Sequence, residues 1–325
     1  MHRGRTASML VATTLLALAA LGGGASAQLP SPAKAPGWEA GSTQPWVAYW
    51  NGTGGTWLIH PDGSDNHQIA SDFAGMLVLA DWTPDGQSLI ATARFTGGTE
   101  PLYQYDLATG AVSPLFPCTD PCLTDDEPNV SPDGTQVVFS RAVGPFDGVA
   151  PADCGLWVGD FATGEVRQLT SNPGCDREYD PRWSPDGSQL AYWRWREDGD
   201  TTTGLAIFVS DVDGTNARQV TAWEDMAAEP DWSPDGQWIA YSVNVKADGT
   251  ANVFRMHPDG TGAEQLTFAS GIDNAAQPRY TPDASSLLHT TWRPGRMASS
   301  VMSADGGEAT IVAEDGWHGT WQPLP

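Results

Sequence analysis

The sequence predicts an all-β fold: a six-bladed β-propeller of four-stranded antiparallel blades, with one blade shared between the N- and C-terminal segments. Three observations predict it. A Pro-Asp-Gly turn recurs at Asp85, Asp133, Asp186 and Asp235, with a decayed copy at Pro282-Asp283-Ala284; the spacings are 48, 53, 49 and 48 residues. A repeat this long, built from short strands, reads as propeller blades. The 325 residues include 36 Gly, 25 Pro and 15 Trp, which suits turns and strands and disfavours helices. Finally, the last copy of the repeat stops at Trp321-Gln322-Pro323, and its missing half stands at Pro45-Trp46-Val47-Ala48-Tyr49.

Each repeat has the same grammar. Ser or Thr comes first, then Pro, which presets φ for the first turn position. Asp follows, and Gly fills the position that needs positive φ. An alternating strand comes after the turn: Trp238-Ile239-Ala240-Tyr241, Leu190-Ala191-Tyr192-Trp193, Val137-Val138-Phe139. A short strand comes before it and ends in Trp82, Trp183, Trp232 or Tyr280, with Val130 in the copy at Pro132. The second half of each unit reads strand, Gly-containing hairpin, strand, as from Ile207 to Thr221 and from Leu156 to Thr170. Six such hairpins occur against five turn-type starts, so the sixth start is split between the chain ends. That closes the ring non-covalently and hides two sheet edges. The propeller is assigned to 45–325, about 46 residues per blade.

The residues ahead of the ring read differently. Met1-His2-Arg3-Gly4-Arg5 is basic, Met9 to Leu21 is apolar, and Gly22 to Ala27 ends in A-x-A. This is the pattern of a secretory signal, residues 1–27, cleaved after Ala27. The apolar run is too short for an ordinary membrane span. No Cys follows it, so a lipid anchor is not expected. Residues 28–44 are expected to be a flexible lead. The expected location is secreted or periplasmic, and an integral membrane protein is not expected. Asn51-Gly52-Thr53 matches the N-glycosylation pattern.

"DWSPDGQWIAYS" (Asp231 to Ser242) and "PRWSPDGSQLAYW" (Pro181 to Trp193) resemble the WD40-like, or PD40, repeat of TolB-type β-propellers. The resemblance runs through the whole repeat region and is specific through its recurrence. It implies a six-bladed propeller, often periplasmic or secreted, that typically works by binding other proteins. TolB carries an α/β domain ahead of its propeller; here only 17 residues separate the expected signal from the first blade. The resemblance therefore does not extend to the Tol–Pal role of the complete protein. Propellers of this type also precede α/β-hydrolase domains in oligopeptidases. No G-x-S-x-G occurs, no further domain is expected after Pro323, and no residue is nominated as a nucleophile, so no enzyme activity is expected.

Net charge is −24, from 40 acids against 16 Lys and Arg; residues 1–27 hold two Arg and no acid. Nucleic acid and anionic membranes would be repelled. In a propeller with this grammar, the Pro-Asp-Gly turns and outer hairpins share one face. Inter-blade connections, and those joining second to third strands, share the other. The second face has the longer connections, at 116–129, 140–155, 170–182 and 193–204, and such loops are where binding usually lives. Four Cys in an exported chain suggest disulfides. The face assignment pairs Cys154–Cys175 and Cys118–Cys122, with cross-pairing as the alternative. Cys118 and Cys122 could form one tight zinc-ligand pair, but Cys154 and Cys175 are too far apart in sequence for the second.

The innermost strands line the channel. Three residues before each repeat aromatic stand His318, Leu79, Glu127, Asp180, Glu229 and Gln277; one residue before stand Thr320, Asp81, Asn129, Arg182, Asp231 and Arg279. The charged members and the histidine are the candidate binding residues at the channel mouth: Asp81, Glu127, Asp180, Arg182, Glu229, Asp231, Arg279 and His318. Clustered carboxylates could hold Ca²⁺ or shift one another's pKa; a water-filled channel is the plainer reading. Asp211 to Asn216 resembles the start of a calcium loop but has Ala222 where the bidentate Glu belongs, and reads as a hairpin turn. Asp125-Asp126-Glu127 and 176–180 read as solvated acidic loops. Trp193, Trp195 and Trp223 read as packing between sheets rather than as a stacking platform for a sugar or peptide. The expected function is an exported, monomeric scaffold. It binds an envelope or extracellular protein or peptide through the long-loop face and the acidic channel mouth. The alternative is a carbohydrate- or peptide-active propeller enzyme that uses the channel-mouth carboxylates.

Overall fold

The computed structural model describes residues 45–323, apart from 53, 120, 145–151, 174–177, 199–200, 245–249, 270–273 and 294–295. The expected signal (1–27), the lead (28–44), Thr53 of the glycosylation pattern and Cys175 of the expected Cys154–Cys175 disulfide lie outside the described residues. Among the described residues no helix is long and apolar enough to cross a membrane.

Six antiparallel sheets follow one another around a ring. Blade one pairs Trp317–Trp321, Val47–Trp50, Thr56–Ile59 and His67–Gln68, from the channel outwards. Blade two runs Met76–Trp82, Ser88–Arg94, Leu102–Asp106 and Val112–Pro114. Blade three runs Cys122–Val130, Gln136–Val143, Asp153–Asp160 and Val166–Gln168, with Asn172–Pro173 adding a fifth strand against the third. Blade four runs Glu178–Trp183, Gln189–Asp198, Thr201–Asp211 and Arg218–Gln219. Blade five runs Ala227–Trp232, Ile239–Asn244, Ala251–Met256 and Glu264–Gln265. Blade six runs Asn274–Tyr280, Ser286–Arg293, Arg296–Ser303 and Thr310–Glu314. The blade built from both ends is as expected: Val47 pairs with Trp321 and Ala48 with Thr320.

The Pro-Asp-Gly element is a self-contained turn. In blade five Ser233 Oγ donates to Asp235 Oδ1 (2.6 Å), Gln237 N donates to the same oxygen (3.0 Å), and Gly236 N closes on the Ser233 carbonyl (2.8 Å). The copies at Asp85, Asp133, Asp186 and Asp283 repeat these contacts. Gly236 sits at φ +71°, and Ala284 is held at +59° in the decayed copy. The motif's polar groups satisfy one another, so it serves folding.

Apolar residues alternate along the strands and pack between blades. Six core clusters result, one at each of the six blade junctions. The repeat tryptophan both packs there and latches. Nε1 of Trp82, Trp183 and Trp232 donates to the carbonyl of Thr320, Asn129 and Arg182 respectively, each in the preceding blade (3.1–3.3 Å). A buried Trp finds a partner for its one N–H in this way. Trp193 and Trp195 stack on Tyr179 in the junction between blades four and five, the packing role expected for them.

Several expected loops are strand. Asp125 to Glu127 lie inside Cys122–Val130 and Asp125 is fully buried, so the reading of a solvated acidic run is corrected there. Glu178 to Asp180 likewise lie in Glu178–Trp183 and are buried. The cause is pairing: Asp125, Glu127, Glu178 and Asp180 each meet a base or a backbone donor that local sequence does not show. Asp125 stands opposite Arg141 in the strand register.

Candidate functional site

All six residues three positions before the repeat aromatic are left-handed: Leu79, Glu127, Asp180, Glu229, Gln277 and His318 have φ between +48° and +58°. Each marks a register shift between the innermost strand and its neighbour. A non-glycine residue in this region costs about 1 kcal/mol or more, and six in a ring need a compensating cause. Three of the bulges turn a backbone N–H towards the preceding blade. Asp180 N donates to Glu127 Oε2 (2.6 Å) and Gln277 N to Glu229 Oε2 (3.0 Å). His318 N donates to Gln277 Oε1 (3.4 Å).

A second tier of latches lies two residues nearer the Pro-Asp-Gly face. Asp81 Oδ2 accepts from Val130 N (3.1 Å), Asn129 Oδ1 from Trp183 N (2.7 Å), and Asp231 Oδ2 from Tyr280 N (2.8 Å). The chain therefore uses Asp81 to bolt blade two to three, Glu127 to bolt three to four, and Glu229 and Asp231 to bolt five to six.

The two arginines fill the centre. Arg182 Nη2 lies 2.6 Å from Asp180 Oδ1, and Arg279 Nη2 lies 2.9 Å from both Asp180 oxygens. Arg182 Nη1 stands 3.9 Å from Asp81. The structure thus brings Asp81, Asp180, Arg182 and Arg279 together, with Glu127 and His318 beside them around one cavity. Glu229 and Asp231 latch blade five to blade six at its side. The space left for the centres of water-sized groups is about 20 Å³, enough for a water but not for a sugar ring.

The electrostatics follow from burial and pairing. Burial works against the Asp180 charge, but Arg182 and Arg279 outweigh it and hold its carboxyl below the ordinary value. Burial, then the Asp180 charge, holds Glu127 well above its ordinary value. Burial also raises Glu229, against the Ser242 hydroxyl. It raises Asp231 to about 6, against Arg279 and Arg182. Burial pushes His318 down to about 3, so its imidazole is neutral. Thr290 donates to Gln277 Oε1 (2.8 Å), which leaves the Gln277 amide N–H to donate to His318 Nε2 (2.7 Å). That assignment puts the His318 proton on Nδ1.

Guanidiniums stand between these carboxylates. Among the described residues the one grouping of three potential metal-ligand side chains is Cys118, Cys122 and Asp125. Cys118 and Cys122 are joined as a disulfide, as expected. Selection by charge missed Asn129, Gln277 and Thr320, although they occupy the same repeat positions. It also missed the buried Asp125–Arg141 pair (Nη2 to Oδ2, 2.8 Å), where Arg141 stacks over Phe139 and Trp157.

The fold and channel define a class: a six-bladed propeller whose axis is closed by side chains that bolt neighbouring blades. Within it, residues 179–322 match the family profile described as TolB beta propeller domain, so the PD40 resemblance holds over that segment. The structure is similar to TolB from Acinetobacter baumannii at 20% identity and TM-score 0.67, over 86% of this chain and 67% of that one. It is similar to an oligogalacturonate lyase in complex with manganese at 19% identity and TM-score 0.58, over 80% of this chain and 70% of that one. A chain of a nidogen/laminin complex matches at 12% identity and TM-score 0.63, over 82% of this chain and 93% of that one. At these identities the likeness is one of fold. No curated protein matches the sequence.

Proposed function

We propose that the protein is an exported binding scaffold that engages an envelope or extracellular protein or peptide through the loop-rich face of the propeller. The observation that carries this reading is the closed axis. Asp180, Arg182 and Arg279 pair across the channel centre and the cavity beside them is small, about 20 Å³, which favours recognition at the outer surface. The Pro-Asp-Gly face has its turn side chains engaged with one another. On the opposite face blade four projects: its second and third strands run 10 and 11 residues, against 6 and 6 in blade five. Four extra residues of strand reach roughly 13 Å further. Phe268, in the connection between blades five and six on the same face, is the one exposed large hydrophobic among the described residues. The nidogen/laminin match supports the reading by analogy of fold alone.

A second reading has its own observation: Asp231 near 6, with Glu127 and Glu229 raised, could serve acid–base chemistry at neutral pH. The size of the cavity weighs against it, and of these three acids only Glu127 lines it. One experiment separates the two. Immobilised wild type and Phe268→Ser are exposed to envelope and medium fractions, and both are assayed with oligogalacturonate and peptide substrates. A partner retained by wild type and weakened by Phe268→Ser supports the scaffold. Turnover that is lost in Glu127→Gln would replace it with the enzyme.

A further inference from the structure

We propose that Cys118, Cys122 and Asp125 form a redox-gated zinc site: closed while the sulfurs are bonded, and able to hold one Zn²⁺ once they are reduced. The two cysteines alone supply only half of a tetrahedral set, which is why sequence spacing spoke against zinc. The fold supplies the third ligand. Asp125 is three residues beyond Cys122 on the same strand, and one ligand atom from each of the three residues lies within 4.8 Å of the others.

One of the three ligand separations already matches that of a bound ion. Zinc takes thiolate sulfur at about 2.3 Å and carboxylate oxygen at about 2.1 Å, so a tetrahedral angle places a sulfur and an oxygen ligand about 3.6 Å apart. Cys122 Sγ lies 3.6 Å from Asp125 Oδ1. Two sulfur ligands stand about 3.8 Å apart on the same ion. Parting the bonded sulfurs to that separation needs side-chain rotation in a Cys-x-x-x-Cys loop, a spacing within the range of zinc ligand pairs.

The surroundings suit the ion. Arg141 donates to both Asp125 oxygens and holds the carboxylate in place, as outer partners of metal ligands do. Each carboxylate oxygen has a second lone pair, so Oδ1 can accept from Arg141 and still ligate. Two thiolates and one carboxylate against Zn²⁺ and one guanidinium leave no net charge in a buried place. The fourth position falls to water. Cys118 and Cys122 are 7% and 5% exposed, enough shielding to keep the thiolates from bulk solvent.

Opening the site takes two electrons. A phosphine reductant breaks the S–S bond and becomes its oxide with the oxygen of one water, whose two hydrogens end on the sulfurs. Metal binding then releases the thiol protons. The test titrates the phosphine-reduced, desalted full chain with Co²⁺ as a spectroscopic probe and then displaces it with Zn²⁺, following circular dichroism throughout. The expected result is one equivalent bound, with a thiolate-to-cobalt charge-transfer band that the oxidised protein does not give. Cys154→Ser/Cys175→Ser keeps the band. Cys118→Ser/Cys122→Ser abolishes it while leaving the Asp125–Arg141 pair intact, and Asp125→Asn weakens affinity at least tenfold. The proposal is overturned by any of three results. The reduced protein gives no band; the band follows Cys154 and Cys175 instead; or the reduced chain loses its dichroism spectrum and metal does not restore it.

Discussion

Arg279 of blade six reaches across the channel to Asp180 of blade four, with Nη2 at 2.9 Å from both carboxylate oxygens. Blade five lies between them in the ring, so this contact ties together blades that share no edge. Arg182 completes the cluster from the same strand as Asp180.

Asp180→Asn removes the charge that two buried guanidiniums share. Breaking one partner of a buried ion pair typically costs 3–5 kcal/mol, because the remaining charge is left uncompensated. A loss of about that size is expected in urea unfolding. A loss under about 1 kcal/mol would show that solvent already screens the channel.

Asp231 gives a pH signature of opposite sign to a surface carboxylate. Its folded value is raised to about 6, chiefly by burial, so the folded state resists its ionisation. Stability associated with this group falls as pH rises from about 4 to about 6. Asp231→Asn keeps an acceptor for Tyr280 N but cannot ionise. Thermal melts should therefore show the variant gaining on wild type across that window, and a constant difference between the two would refute the assignment.

The turn aspartates act on the acid side. In Asp85, Asp133, Asp186 and Asp235 the hydroxyl of the preceding Ser or Thr, then a backbone N–H, holds the carboxyl below its ordinary value. Their contribution is fully present above the unfolded value and is lost as pH falls through the folded one. The fourfold Asp→Asn variant should show a shallower fall of stability between about pH 4 and pH 2. An unchanged slope in acid titration of the fold would assign acid unfolding to other groups.

Gly155 has no room for a side chain. An added Cβ would strike the backbone carbonyl of Thr170, where the fourth strand of blade three leads out. Gly155→Ala should cost about 3 kcal/mol by overpacking. Gly98→Ala, whose nearest atom would be Phe95 Cβ at 3.7 Å, should stay within about 0.5 kcal/mol. Equal effects of the two in chemical denaturation would count against the packing argument.

What was legible in the sequence tracks the range of the interaction. The Ser-Pro-Asp-Gly turn can be read because each position has its own backbone reason, satisfied within five residues. Blade number and ring closure follow from counting that turn. The left-handed ring at Leu79, Glu127, Asp180, Glu229, Gln277 and His318 was not legible as conformation, since these side chains share no local preference. A register shift imposes it. Asp125 and Arg141 are 16 residues apart and meet only once the register of two strands is known. Charge drew attention to Asp180, Arg182 and Arg279, which the structure brings into contact, yet it hid the equivalent service of Asn129 and Gln277.

The shared blade also fixes how the ring would yield to force. Val47 pairs with Trp321 at the entry and exit of an antiparallel couple, and Gln322 N donates to the Trp46 carbonyl (2.8 Å) just beyond it. Tension applied between residues 45 and 323 therefore pulls along the line of these hydrogen bonds. It loads them singly, from the rim inwards, as a zipper is opened, rather than all at once in shear. The propeller should part first at blade one and at low force, while the five blades made of continuous chain hold.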